Sequence, residues 1–230
     1  MISIIIPIHN QADKIGLCLQ SILNQTYKDW ELIVVNDGST DDIKEVINNW
    51  QNKFGKKLQF FSKQNEGAQM TRNFGFTKSR GEQIIFCDAD IIMEPTMLEK
   101  MLKSLNDNQA ISFVYSSFNY GKKLFKLFPY SEERLRSMPY IHTTSLIRRE
   151  DFPGFDIKLK RFQDWDLWLT MLENNHKGFW LDEVLYTAQL GHGHMSNWLP
   201  KITYKLLPFL VTVKNYNKAL EIIKTKHKLT

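Results

Sequence analysis

Two aspartates with a single residue between them, Asp88-Ala89-Asp90, stand directly after the apolar run Ile84-Ile85-Phe86-Cys87. An apolar run of this kind, flanked by Gly81 and Pro95, predicts a fully buried strand. Both carboxylates then stand at its carboxyl edge, where open α/β sheets bind ligands. Two acidic groups so close repel each other unless a cation lies between them. The competing reading is that Asp88 closes the strand and Asp90 caps the next element. Other reactive residue types recur in comparable places. Asp37 stands in Asn36-Asp37-Gly38-Ser39-Thr40-Asp41-Asp42, directly after a second apolar run. Arg72 and Asn73 lie on a helical stretch. Asp164 falls in the first turn of a helix that starts Gln163-Asp164-Trp165-Asp166, where the helix dipole favours a carboxylate. His192 and His194 sit in the loop Gly191-His192-Gly193-His194.

The elements that carry these groups alternate. Ser3-Ile4-Ile5-Ile6-Pro7 reads as a strand ended by Pro7, with Ile8-His9-Asn10 as its loop. The next element is a helix with Ile15, Leu19, Ile22 and Leu23 on one face. Glu31 to Val35 is the second strand. Gly38 permits the turn after it, and Ser39 with Asp42 three later forms a capping-box pattern. Ile43, Val46, Ile47, Trp50 and Phe54 mark the buried face of the next helix. Leu58 to Ser62 is a strand, and Ala68 to Thr77 a helix. Four strand–helix alternations with continuous apolar strands predict an α/β fold: a mostly parallel sheet covered by helices on both faces. The polar loops after the strands gather on one edge. Further on, Pro95 starts a helix, Ala110 to Ser117 and Ile141 to Ile147 read as strands, and Phe179–Leu181 and Val184–Ala188 as two short ones.

The chain has 230 residues and 43% hydrophobic content, enough for one large α/β domain. No apolar run reaches the ~18 residues of a membrane span, and Met1 to Pro7 is too short for a signal peptide. Cys18 and Cys87 suggest no disulfide framework, so a cytoplasmic setting is the default. The net charge is +5, concentrated in a tail from Asn197 to Thr230 that holds seven Lys against Glu221. A basic tail on a nearly neutral body argues for a surface role of the tail and against nucleic-acid binding by the whole protein.

Taken in order, Ser3–Asn10, Glu31–Asp42, Asn65–Gly75, Asp88–Asp90 and Gln163–Leu169 resemble the family 2 inverting glycosyltransferases of the GT-A fold. The resemblance runs from residue 2 to about 196, which makes 1–196 the GT-A domain (1–117 the nucleotide-sugar half, 118–196 the acceptor half) and 197–230 a basic, amphipathic helical tail.

The resemblance implies a sugar moved from a nucleotide-diphosphate sugar, a UDP-sugar first, to an acceptor hydroxyl in cell-surface polysaccharide or glycan synthesis. The acceptor is then a saccharide or a lipid-linked one. Pro7, Ile8 and Asn10 border the donor, Asp37 accepts from the base imide, and Arg72 reaches a base carbonyl or phosphate. Asp88 holds the ribose or the metal's water shell. Asp90 binds Mn²⁺ or Mg²⁺, with His192 (or His194) as a further ligand. Asp164 is the general base. The family's usual Glu-Asp pair is Gln163-Asp164 here, which removes the first carboxylate. Asp166 reads as structural, and His9 and His142 as loop or packing residues. Two other classes compete. A sugar-1-phosphate nucleotidyltransferase needs a glycine-rich basic loop after the first strand, and Ile8-His9-Asn10-Gln11 is neither. A sugar-nucleotide-binding protein without transfer activity fits poorly with both Asp90 and Asp164 in place. For the tail two readings stay open: a helix lying on the inner face of an anionic membrane, or one whose apolar side packs on the domain.

Overall fold

A computed structural model describes residues 1–190 and 210–229. The strands are β1 (Ile2–Ile8), β2 (Trp30–Asp37), β3 (Leu58–Lys63), β4 (Gln83–Phe86), β5 (Ile91–Met93), β6 (Phe113–Tyr120), β7 (Lys123–Phe125), β8 (Leu146–Arg148) and β9 (Gly178–Ala188). The helices are α1 (Ile15–Leu23), α2 (Ile43–Phe54), α3 (Ala68–Lys78), α4 (Met97–Asp107), α5 (Glu132–Ser137), α6 (Gln163–Glu173) and α7 (Val211–Lys226). The strands form one sheet in the order β3-β2-β1-β4-β8-β6-β9-β5, with β7 added to β6. β1 pairs in parallel with β2 and β4, β2 with β3, and β6 with β9. β8 runs antiparallel between β4 and β6, and β5 antiparallel on β9.

Alternation along the strands builds a core on each face of the sheet. Ile2, Ile4, Ile6, Leu32, Val34, Ile85 and Val114 face one way, onto α1, α2 and α4. Ile5, Ile33, Val35, Ile84, Phe86, Phe113 and Ile147 face the other, onto α3, α5, α6 and α7. Both faces are covered, so the central strands read as unbroken apolar runs. Gly75 lets α3 approach β1: a Cβ there would lie 2.5 Å from Ile5 Cγ2.

Several local expectations change. Pro7 does not end β1: pairing with β2 continues through Pro7↔Val35 to Ile8↔Asn36. The Ile5 carbonyl accepts from Cys87 on the β4 side, and Pro7, two residues on, turns its backbone the same way. Its missing N–H therefore falls where β4 pairing has already ended at Ile5↔Phe86. The capping box does not form: Asp42 caps α2 without a side-chain bond, while Ser39 Oγ accepts from the Asn10 N–H and Asp41 from the Ala12 N–H. The two short strands after Lys177 are one, β9, whose register on β6 shifts around Ser117. The strand expected over Ile141 to Ile147 shrinks to β8, since Thr144 and Ser145 are tied up in local bonds to His142. Cys18 and Cys87, distant in sequence, bring their sulfurs to 3.7 Å between α1 and the end of β4, both as free, buried thiols.

Among the described residues no helix is long and apolar enough to cross a membrane. The described part of the tail, α7, buries Val213 and Ile223 and packs Leu220 and Leu229 against the core beneath α6. Its lysines Lys214, Lys218 and Lys224 are on the exposed side.

Candidate functional site

The carboxyl ends of β1, β2, β3 and β4 converge with the start of α6. At the β2 end, Gly38 adopts φ +71° with the Asn65 backbone nitrogen 2.8 Å from where a Cβ would stand, so only glycine fits this turn. The turn frees Asp37 to reach across to the next loop. Its carboxylate accepts from the backbone N–H of Glu66 (3.0 Å) and Gly67 (2.8 Å) and from Lys63 Nζ (2.9 Å). Burial pushes this carboxyl up, but those donors outweigh it and hold it below the ordinary value. His9 and Asn10 complete the edge. His9 Nδ1 lies 2.9 Å from the Asp37 carbonyl and Asn65 Nδ2 3.1 Å from the same nitrogen. Asn10, at φ +51°, accepts from the Thr40 N–H at 2.8 Å. Pro7 and Ile8 are buried strand residues directly beneath this edge.

α3 supplies the bracket between the two halves. One face of it carries Gln69, Arg72 and Asn73, a helical neighbourhood. Gln69 donates to the Leu159 carbonyl. Asn73 makes a two-way bond to the Phe155 backbone, 2.9 Å in each direction. Arg72, 4% exposed, sends one nitrogen to Asp88 Oδ1 at 2.7 Å and another to Gln163 Oε1 at 3.1 Å. The guanidinium lies 5.4 Å from the centre of the Phe155 ring. Its Nε has no partner among the described residues. The segment from Phe152 to Phe162 is thereby strapped to α3 and delivers α6 to the end of β4. Phe162 takes the left-handed conformation, φ +58°, immediately before α6, strain of the kind that persists where the surroundings over-determine it.

Asp164 is half-buried at that helix start. Its Oδ1 accepts from the Trp165 N–H at 2.8 Å. Burial raises its carboxyl above the ordinary range, and His142, the Trp165 N–H and Arg72 only partly oppose this. Burial also pushes the phenol of neighbouring Tyr186 upward, with the Asp88 and Asp164 charges adding to it. Asp90 is 7% exposed, and its backbone carbonyl accepts from Gln189 at 2.9 Å. Among the described residues no group of three His, Cys, Asp or Glu side chains gathers to hold an ion. His192 and His194 lie outside the described residues.

So Asp37, Arg72, Asp88 and Asp164 meet at one edge, with Asn10 on its rim. Sequence reasoning overlooked Gln69, which left a signal as a polar residue on the helical face that carries Arg72 and Asn73. His142, read as a loop or packing residue, packs its ring against Phe118 and Tyr186.

The sequence pattern of the family described as "Glycosyl transferase family 2" matches residues 3–164. An uncharacterized glycosyltransferase of Rickettsia bellii is 40% identical over 124 residues, which cover 53% of this chain and 17% of that protein. The chain therefore spans about a sixth of that relative's length. Among solved structures, TarS 1-349 of S. aureus in complex with UDP-GlcNAc superposes with a TM-score of 0.73 at 19% identity, covering 92% of this chain and 66% of TarS 1-349. Mannosyltransferase PcManGT from Pyrobaculum calidifontis, in complex with GDP-Man and Mn²⁺, gives 0.70 at 16% identity, covering 97% and 75%. At these identities the likeness concerns the fold.

Proposed function

The chain belongs to glycosyl transferase family 2, and from that premise we propose that it moves a sugar from a nucleotide-diphosphate sugar, a UDP-sugar first, onto an acceptor hydroxyl with inversion. The observation that carries this reading is the Arg72 bridge between Asp88 and Gln163. One buried cation ties the end of β4 to the helix start that holds Asp164, so a donor held at the first is presented to the second.

In this reading residues 1–117 bind the donor. Asp37 stiffens the loop Glu66–Gly67 and accepts from the base imide, with Pro7, Ile8 and Asn10 bordering the nucleotide. Arg72 offers positive charge to the diphosphate, and Asp88 takes the ribose or an outer-shell water. Asp90, buried beside Asp88, is a hard oxygen donor of the kind that fits Mn²⁺ or Mg²⁺ and would hold the ion, with His192 or His194 as the candidate further protein ligand. When bound, the ion neutralises charge developing on the leaving diphosphate. Residues 118–196 receive the acceptor. Asp164, whose carboxyl burial raises, removes the proton of the attacking hydroxyl, and a base whose pKa approaches the working pH is the more effective for it. Gln163 keeps the geometry of the missing carboxylate by accepting from Arg72, without a second negative charge beside the base. The acceptor is a saccharide or a lipid-linked one, and the exposed lysines Lys214, Lys218 and Lys224 offer a peripheral contact to an anionic membrane surface.

The test is a donor screen on the purified chain with Mn²⁺, reading nucleotide-diphosphate release. One UDP-sugar turned over, with the activity lost on chelation, supports the reading. Triphosphate consumption with sugar-1-phosphate would replace it with nucleotidyl transfer.

A further inference from the structure

We propose that Tyr216 on α7 is a positioning residue for the general base: its ring holds Phe162 in the left-handed bend from which α6 starts, and so sets where Asp164 stands. The inference deepens the reading of Asp164 as the base and rests on it.

The bend is the point where the strap turns into α6. Phe162 has φ +58°, a conformation that crowds the Cβ of any residue with a side chain. Glycine takes it freely; phenylalanine takes it where its surroundings impose it. The first turn of α6 hangs on this residue. The Phe162 carbonyl accepts from the Asp166 N–H at 2.8 Å, and Gln163 and Asp164 follow it directly. A return of Phe162 to an ordinary negative φ would redirect both, and with them the Gln163 bond to Arg72.

Several contacts impose the bend. α3 holds the strap upstream, through Asn73 at Phe155 and Gln69 at Leu159. The Phe162 ring itself makes two edge-on contacts. Trp165, with ring centres 5.8 Å apart at 70°, belongs to the same first turn and moves with it. Tyr216, at 5.2 Å and 67°, comes from α7 and supports the bend from outside the segment. α7 is placed to give that support. Val213, Tyr216, Leu220 and Ile223 fall on one stripe of the helix, with Ile223 fully buried and Leu220 packed in the same core as Trp165 and Leu169. At its far end Lys226 Nζ reaches Asp156 in the strap at 2.8 Å and Asp166 in α6 at 2.7 Å. α7 therefore ties the chain before the bend, at it and after it, and Tyr216 is the contact at the bend.

The test uses the full chain and two readouts. Amide hydrogen exchange is followed at Asp166, whose N–H closes the first turn on Phe162, at Leu169 further along α6, and at Cys87, whose N–H bonds to Ile5 in the sheet. In Tyr216→Ala, exchange at Asp166 is expected to rise about tenfold while Leu169 and Cys87 hold. Tyr216→Phe, which keeps the ring, stays near wild type. The second readout is UDP-GlcNAc turnover with Mn²⁺, read as UDP release: in Tyr216→Ala kcat falls about tenfold or more while the donor KM holds. An unmoved Asp166 amide in Tyr216→Ala overturns the proposal, as does an equal rise at all three amides, which would mark a merely stabilising contact. Tyr216→Phe behaving like Tyr216→Ala overturns it too. Should Tyr216→Ala not fold, Tyr216→Leu takes its place under the same criteria, and if UDP-GlcNAc is not turned over, the exchange pattern alone decides. The base assignment fails separately, through full turnover by Asp164→Asn, which leaves the exchange comparison standing.

Discussion

The first turn of α6 carries two carboxylates with opposite surroundings. Asp166, 4% exposed at its side chain, is closed off by two side chains at the end of α7 and just past it: Lys226 Nζ at 2.7 Å and His227 Nε2 at 2.8 Å. His227 reaches Glu173 with its other nitrogen at 2.9 Å, and Lys226 reaches Asp156 at 2.8 Å. Asp164 has no cation bonded to it among the described residues; burial raises its carboxyl, and His142, the Trp165 N–H and Arg72 offset this only in part. One carboxylate is spent on holding a tail helix against the domain. The other is left incompletely compensated, the condition under which a carboxylate does acid–base work. Two residues of sequence separation put them on different sides of one helix, and with that in different surroundings.

Exchanging the roles breaks the comparison most visibly at Asp164. Asp164→Asn keeps shape and donor binding and removes the base. Turnover should fall about 10³-fold while UDP affinity stays within a factor of about two of wild type, measured by calorimetry. Undiminished turnover ends the functional half of the contrast. The opposite pattern belongs to Asp166→Ala. It strands the buried His227 and the exposed Lys226 without their shared partner, and leaving the buried ring without that carboxylate costs about 3 kcal/mol, read as a lower urea midpoint. A variant as stable as wild type would show that α7 is held by its apolar face alone. Between the two, Asp90→Ala leaves both ends of α6 intact. It should weaken donor binding about tenfold or more in Mn²⁺ and by much less in EDTA, and equal losses in both buffers would remove Asp90 from the metal.

The same contrast explains how much could be read from the chain. The sheet was legible because doubly covered strands must be apolar throughout, and Ile4-Ile5-Ile6, Leu32-Ile33-Val34-Val35 and Ile84-Ile85-Phe86 are. The convergence of Asp37, Arg72 and Asp88 on one edge was legible because each sits at a fixed offset from such a strand or from the helix after it. Asp164 was legible through the same helix-start logic, and Asp166 was read as structural without its partners being visible, since His227 is 61 residues away. The features that escaped depend on contacts with no local pattern. Gln69 acquires its partner, the Leu159 carbonyl, from a segment 90 residues away. Pro7 looked like a strand end because its missing N–H is a local property, whereas the pairing that carries β1 past it comes from β2.

The smallest expected effect lies at the tail side of α6 and is one of pH. Burial alone would depress the His227 imidazole, but its bonds to Asp166 and Glu173 outweigh that and raise it above 6.5. Both ring nitrogens lie against carboxylate oxygens, so both act as donors only in the cationic ring. A group whose folded-state pKa is raised contributes stability that is complete below its unfolded value and is lost as pH climbs through its folded value. The clamp therefore holds best below about pH 6.5 and loosens above it. A thermal melt of wild type should show Tm declining by a few degrees as pH rises from near 6 past the folded value, and His227→Gln should start lower and lose that decline. A raised Asp164 carboxyl also loses stability as pH climbs above its unfolded value, so the assignment to His227 rests on the difference between the wild-type and His227→Gln curves. A wild-type Tm that is flat over the histidine range, or a His227→Gln curve that keeps the wild-type slope, would remove His227 from the clamp and leave Lys226 alone to hold Asp166.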